Sequence, residues 1–154
     1  MLKLWKLFIF LLLKFLRNFI ARKHNFPYAT RCSQFKKMTP REIYDTKRKN
    51  FIDKAKLYFY FLTTEFDYDK PIYTFSEQSN GSVISDKFEF NNQDKNLKIV
   101  ISNSYHPVDY GFEINLTDLK TGTEEMVYNV LKENQGIEQS YLEKASEYLK
   151  SRFG

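Results

Sequence analysis

Three carboxylates stand within five residues at Glu65-Phe-Asp-Tyr-Asp69. That density serves acid–base chemistry or the oxygen coordination of Mg²⁺ or Ca²⁺ when the other parts are present. Here they are not: an EF-hand loop needs oxygen ligands at fixed later positions and a Gly at its sharp turn, and the stretch supplies neither. His106 and Asp109 offer a second chemistry, because a His oriented by a carboxylate is a common general base. No Ser or Cys nucleophile pairs with them in the sequence, the other histidine is His24 far upstream, and Pro107 between them marks a turn. The sequence therefore assigns no catalytic residue, no metal ligand and no cofactor. Glu65, Asp67, Tyr68 and Asp69 read instead as a solvated connecting loop whose acids and ring suit contact with a basic protein partner. Glu89 and Glu113, on the outward phase of two strands, join that candidate partner-binding set.

The elements that carry these residues are read from apolar period. Tyr110, Phe112, Ile114 and Leu116 fall on one side of an extended strand, and Leu97, Ile99 and Ile101 repeat the alternation upstream. Two further strands, Ile72 to Glu77 and Val83 to Phe90, join at Ser79-Asn80-Gly81-Ser82, where Asn-Gly accepts the positive φ of a tight hairpin. Their expected inward set is Tyr73, Phe75, Ile84, Phe88 and Phe90. Short connections predict a four-stranded antiparallel meander, with Val83, Ser85, Lys87, Glu89, Lys98, Val100, Glu113 and Asn115 on a wet face.

Thr39-Pro40-Arg41-Glu42 combines a capping Thr, a Pro at the first helical position and a Glu able to reach back, so a helix starts there. Its apolar stripe, Tyr44, Phe51, Ile52, Ala55, Tyr58, Phe59 and Leu62, runs about six turns to Thr63, roughly 35 Å. Leu57, Tyr60 and Phe61 lie off the stripe and need a second cover. Thr123-Glu-Glu followed by Met126, Val127, Val130 and Leu131 predicts another helix ending near Gly136, and Ile137 to Arg152 a last one. The expected fold class is thus α+β: a long first helix, the meander, and two C-terminal helices, all packed on one sheet face.

The formal net charge of +5 hides a split. Residues 1–38 carry nine Lys or Arg and no acid, leaving fifteen bases against nineteen acids in the rest. The chain is accordingly divided into a basic helix over 1–20, a basic linker over 21–38 and a single domain over 39–154. On a helical projection Lys3, Lys6, Lys14 and Arg17 share one ~80° sector, while Trp5, Phe8, Leu12, Phe15 and Phe19 crowd the opposite side. That pattern suits a helix lying in an anionic membrane interface; its longest apolar run, Leu7 to Leu13, is far short of the roughly 20 residues that span a bilayer. A poorly cleaved signal, a helix packed on the domain, or a start at Met38 are the competing readings. Nucleic-acid binding is disfavoured, because no helix-turn-helix, zinc-finger or RNA-binding signature accompanies the basic arm. The single cysteine, Cys32, suits a reducing compartment, so the expected location is cytoplasmic, with attachment to the inner membrane face through residues 1–20.

Taken together, the first helix ending in Tyr58-Phe-Tyr-Phe-Leu62, the acidic Glu65-Phe-Asp turn, the meander bearing Phe112-Glu-Ile-Asn115 and the tail with Tyr141-Leu-Glu143 resemble the small α+β immunity partners of bacterial polymorphic and contact-dependent toxins. The likeness covers residues 39–152, and the basic arm departs from it. It implies stoichiometric binding and blocking of a toxin domain without catalysis, and it transfers no contact residue.

Overall fold

The computed structural model describes residues 38–153 apart from 107 and 110. The helix expected over 1–20, with its membrane-interface residues Lys3, Trp5, Lys6, Phe8, Leu12, Lys14, Phe15, Arg17 and Phe19, and the linker up to residue 37 lie outside the described residues. So does Tyr110.

Helix α1 (Pro40–Tyr58) opens with a complete capping box. The Glu42 amide donates to Thr39 Oγ1 at 3.2 Å, and the Thr39 amide donates to Glu42 Oε2 at 2.8 Å, so two otherwise orphaned N–H groups are satisfied reciprocally. The helix does not run on to Thr63 as expected. It stops at Phe59 (φ −100°, ψ 7°), and a short second helix, α2 (Phe61–Glu65), resumes after Tyr60. The reason is packing: on one continuous helix Phe59 and Phe61 would point about 200° apart, yet both are buried, together with Leu62. The break turns Phe61 against Phe59 and Phe66, with centroids 6.4 and 5.8 Å apart, and leaves Leu57 and Tyr60 70% and 63% exposed.

The sheet has five antiparallel strands in sequential order, one more than expected: β1 (Ile72–Glu77), β2 (Val83–Asn92), β3 (Leu97–Ser104), β4 (Gly111–Asp118) and β5 (Glu124–Leu131). The apolar rows pair as their period requires, Ile101 opposite Ile114 and Ile99 opposite Leu116. The β1–β2 hairpin turns at Gly81 (φ +77°), with the Gln78 amide donating to Ser82 O at 2.9 Å.

β5 is the main correction, since Glu124–Leu131 was expected to be helical. Its Met126, Val127, Val130 and Leu131 fit a helical face over so short a window, but Val127, Tyr128 and Val130 are β-favouring and β4 has a free edge to satisfy. The turn that reverses the chain is built on Asp118, whose carboxylate accepts the Lys120 and Thr121 amides at 2.8 and 3.0 Å, and on Gly122 (φ +71°). Those two backbone donors also hold the Asp118 carboxyl below its usual pKa. The expected pair of C-terminal helices is reduced to a 3₁₀ turn at Lys132–Asn134 and one helix, α3 (Tyr141–Phe153). Gln139 has φ +51°, which a helix from Ile137 could not contain.

α1, α2 and α3 cover one sheet face, giving an α+β architecture. Phe51 sits at the centre, its ring 6.1 Å from Phe88 and 6.3 Å from Phe112, with Ala55, Phe59, Ile99, Ile101, Ile114, Leu142 and Leu149 around it. Among the described residues no helix is long and apolar enough to cross a membrane. Phe51→Ala should cost about 3–5 kcal/mol in urea unfolding, whereas Leu57→Ala should change stability by less than ~0.5 kcal/mol despite equal apolar character, because only Phe51 leaves a cavity.

Candidate functional site

Two polar assemblies lie back to back across β2. The inner one is centred on Asp86, which the alternation of β2 turns into the core between Ile84 and Phe88 and which is fully buried. Arg48 on α1 engages it bidentately, Nε to Oδ2 at 2.9 Å and Nη2 to Oδ1 at 3.0 Å. Tyr73 of β1 donates to Oδ1 at 2.7 Å, and Tyr105, just past β3, donates to Oδ2 at 3.0 Å. The carboxylate thus receives charge-assisted bonds from three separate segments. Hydrogen bonding to Asp86 raises the Arg48 pKa, and burial raises those of Tyr105 and, with Asp86 adding to it, Tyr73. The cluster ties three segments to one buried side chain of β2.

The outer assembly is the uncovered sheet face. A groove of about 400 Å³ runs across it, lined by Thr74, Ser85, Lys87, Ser102, Ser104, Asp109 and Glu113 among others. The expected wet residues are here, half-buried rather than fully exposed. Lys87 pairs with Glu89 along β2 at 3.6 Å, and Ser102 stands opposite both Lys87 and Glu113 in the register. At the groove's end Ser104 Oγ lies 2.5 Å from Asp109 Oδ2, while the Val108 amide reaches His106 Nδ1 at 3.5 Å. The two residues that suggested a general base therefore have different partners: Asp109 accepts the Ser104 hydroxyl, and His106 is engaged by its own turn.

The remaining candidate residues are dispersed. Glu65 is held by Lys150 of α3 at 2.6 Å, a half-exposed pair worth at most about 1 kcal/mol. Asp67 adopts φ +60° while its carbonyl accepts Asn92 Nδ2 at 3.0 Å; its side chain and that of Asp69 are exposed. Tyr68, expected to present its ring from this loop, is turned into the core, with its ring 6.2 Å from Phe153. Glu89 and Glu113 share the open face, apart from the loop acids at the far end of α2. Among the described residues no group of three or more His, Cys, Asp or Glu side chains is placed to hold a metal ion.

The Asp86 cluster was missed in the sequence, yet it left a signal. Arg48 follows Tyr44 by four residues and precedes Phe51 by three, which puts a cation in the apolar stripe of α1, and Asp86 puts an acid in the inward phase of β2. Comparison with protein-family models, curated proteins and solved structures finds no match.

Asp86→Ala should destabilise by about 3–5 kcal/mol, because it leaves the Arg48 charge unpaired, whereas the double variant Arg48→Met/Asp86→Ala should recover most of that loss in a double-mutant cycle. A pH titration of stability tests Tyr68. Burial pushes its hydroxyl up to about 12, above the unfolded value near 10. Its contribution is therefore fully present below about pH 10 and is lost as pH rises towards 12. Among the described residues its hydroxyl has no hydrogen-bond partner, so Tyr68→Phe should leave neutral stability equal or higher and flatten the alkaline decline.

Proposed function

We propose that this chain is a non-enzymatic protein-binding module that docks a partner on the open sheet face, and that it acts as an immunity-type blocker of a cognate toxin domain. The observation that carries the binding reading is the asymmetry of the sheet. One face is filled by α1, α2 and α3; among the described residues the other has no covering layer and forms a shallow polar groove with Glu113, Asp109 and the Lys87–Glu89 pair. Small hydroxyl residues, Thr74, Ser85, Ser102 and Ser104, floor the groove, so a partner's side chains can enter and find donors and acceptors. The excess of acids over bases after residue 38 favours a basic partner. The toxin-blocking part rests on the resemblance in element order and motifs.

The arm supports a separate, compatible reading. Its nine cations and its Trp and Phe residues favour placement at an anionic cytoplasmic membrane surface, where each cation near the surface adds up to about 1 kcal/mol.

The direct test is to sequence the neighbouring genes for a large toxin-like reading frame and to co-express this chain with that frame's C-terminal domain. The expected result is restored growth and a one-to-one complex. Glu113→Lys should weaken that complex at least tenfold through charge reversal in the groove, with the unfolding midpoint unchanged. Absence of protection, or an affinity indifferent to Glu113→Lys and to Glu89→Lys, overturns the assignment of function and of face respectively.

A further inference from the structure

The register of the sheet resolves the open face into rows that cross the strands. Thr74 of β1 stands opposite Lys87 of β2, Lys87 opposite Ser102 of β3, and Ser102 opposite Glu113 of β4. The next row is Ser76, Ser85 and Ser104, and it leads to Gly111 where β4 begins. No side chain in that second row is longer than serine. It therefore floors a trough, with Lys87 and Glu113 along one side and, at its β3–β4 end, Asp109 on the other. Neighbouring rows on one face are about 7 Å apart, less than the ~10–12 Å of a helix with its side chains. What fits the trough is an extended side chain.

The polar groups that line it select which kind. Among the described residues the hydroxyls of Thr74, Ser76, Ser85 and Ser102 have no hydrogen-bond partner, whereas Ser104 is engaged by Asp109 and by the backbone of Ile84 and His106. The cation of the wall, Lys87, is paired with Glu89 in the row beyond. Glu113 is half-buried and has no ion-pair partner among the described residues. Asp109 has the Ser104 hydroxyl but no ion pair; Lys132 acts on it through space, yet the Lys132 ammonium is buried and makes no hydrogen bond. Gly111 lies two residues from each carboxylate and contributes no side chain between them. An acidic occupant is repelled here, and a neutral one leaves Glu113 uncompensated once water is displaced. Of the two cations, lysine brings a compact, strongly hydrated charge with three donors. Arginine brings five donors in one plane, pairs bidentately with a carboxylate and is the more weakly hydrated.

We propose that the trough takes an arginine side chain of the partner, its guanidinium on Glu113 and Asp109 and its remaining donors on the serine hydroxyls. The proposal rests on the reading of the open face as the docking surface and narrows it to a residue type; it does not use the toxin-blocking part. The probe is N-acetyl-arginine amide, titrated to about 50 mM into the isotope-labelled full chain at a constant ionic strength near 0.15 M, where attraction between exposed charges is screened beyond ~8 Å. Amide shifts should concentrate at Ser85, Ser102, Ser104, Gly111 and Glu113 and saturate in the millimolar range. N-acetyl-citrulline amide, which keeps the shape and loses the charge, should bind at least tenfold more weakly, and N-acetyl-lysine amide at least threefold more weakly. Glu113→Gln should weaken the arginine probe at least fivefold. Lys87→Gln removes the competing cation and should tighten it about twofold, a gain that a misfolded variant cannot imitate. Absence of saturable shifts in the groove, equal binding of the citrulline probe, or an affinity indifferent to both variants overturns the proposal. Lysine bound as well as arginine overturns the choice of a guanidinium. A partner complex that Glu113→Lys weakens, in a protein that ignores the arginine probe, leaves the docking face standing and overturns the arginine alone.

Discussion

The Asp86 carboxylate is the constraint around which the rest of the domain is arranged. A fully buried carboxylate is costly to desolvate unless its oxygens are supplied with donors. Here the donors come from α1, from β1 and from the segment after β3, and none is near Asp86 in sequence. Satisfying one charge therefore fixes three elements relative to β2. It holds the first turns of α1 to the sheet beyond what the apolar stripe alone would specify, and it anchors Tyr73 on a strand that otherwise has little burial. Arg48 also stands 5.5 Å over the Phe75 ring, which extends the same tie along the edge strand.

A second set of polar ties closes the other side of α1. Lys47 donates to Gln135 O at 3.1 Å and Asn50 to Ile137 O at 3.0 Å, while Lys54 donates to the Glu138 carbonyl. They pin the irregular stretch between β5 and α3, whose carbonyls have no helix or ladder to serve. Gly111 takes part in this closure. At φ +103° its hydrogen faces Gln135 Nε2, Val130 O and the Lys132 amide, and a Cβ would come within 2.6 Å of the first. The start of β4 and the exit of β5 thus meet where only glycine fits, which lets Gln135 reach back to Val130 O at 3.1 Å. The polar ties concentrate on the helix side, and the opposite face is left with short hydroxyls and a few charges.

Asp86 and the groups that hydrogen-bond to it lie on the helix side, while His106 and Asp109 share one turn, the Asp109 amide donating to His106 O at 3.3 Å and its carboxylate accepting the Ser104 hydroxyl. What is offered outward is shape and charge: a polar groove on the sheet.

The sequence alone determined the start of α1, the two-residue period of β2, β3 and β4, the hairpin at Asn80-Gly81 and the α+β class, because each depends on local geometry that neighbouring residues specify. Capping groups lie three residues apart, strand faces alternate every second residue, and a positive φ selects glycine at the residue itself. Tertiary structure decided the rest. β5 became a strand because β4 had an open edge; the β-favouring Val127, Tyr128 and Val130 agree with that, but the apolar spacing of Glu124–Leu131 fits a short helical face equally well. α1 broke at Phe59 because Phe59 and Phe61 both had to be buried, a requirement set by the core and not by either residue's propensity. Tyr68 turned inward for the same reason, out of a loop whose acids suggested exposure. The pairing of Arg48 with Asp86 was written as two charges at the wrong phase of two apolar patterns, thirty-eight residues apart. Each was visible in its own element, and only the packing of α1 on β2 could show that they answer one another.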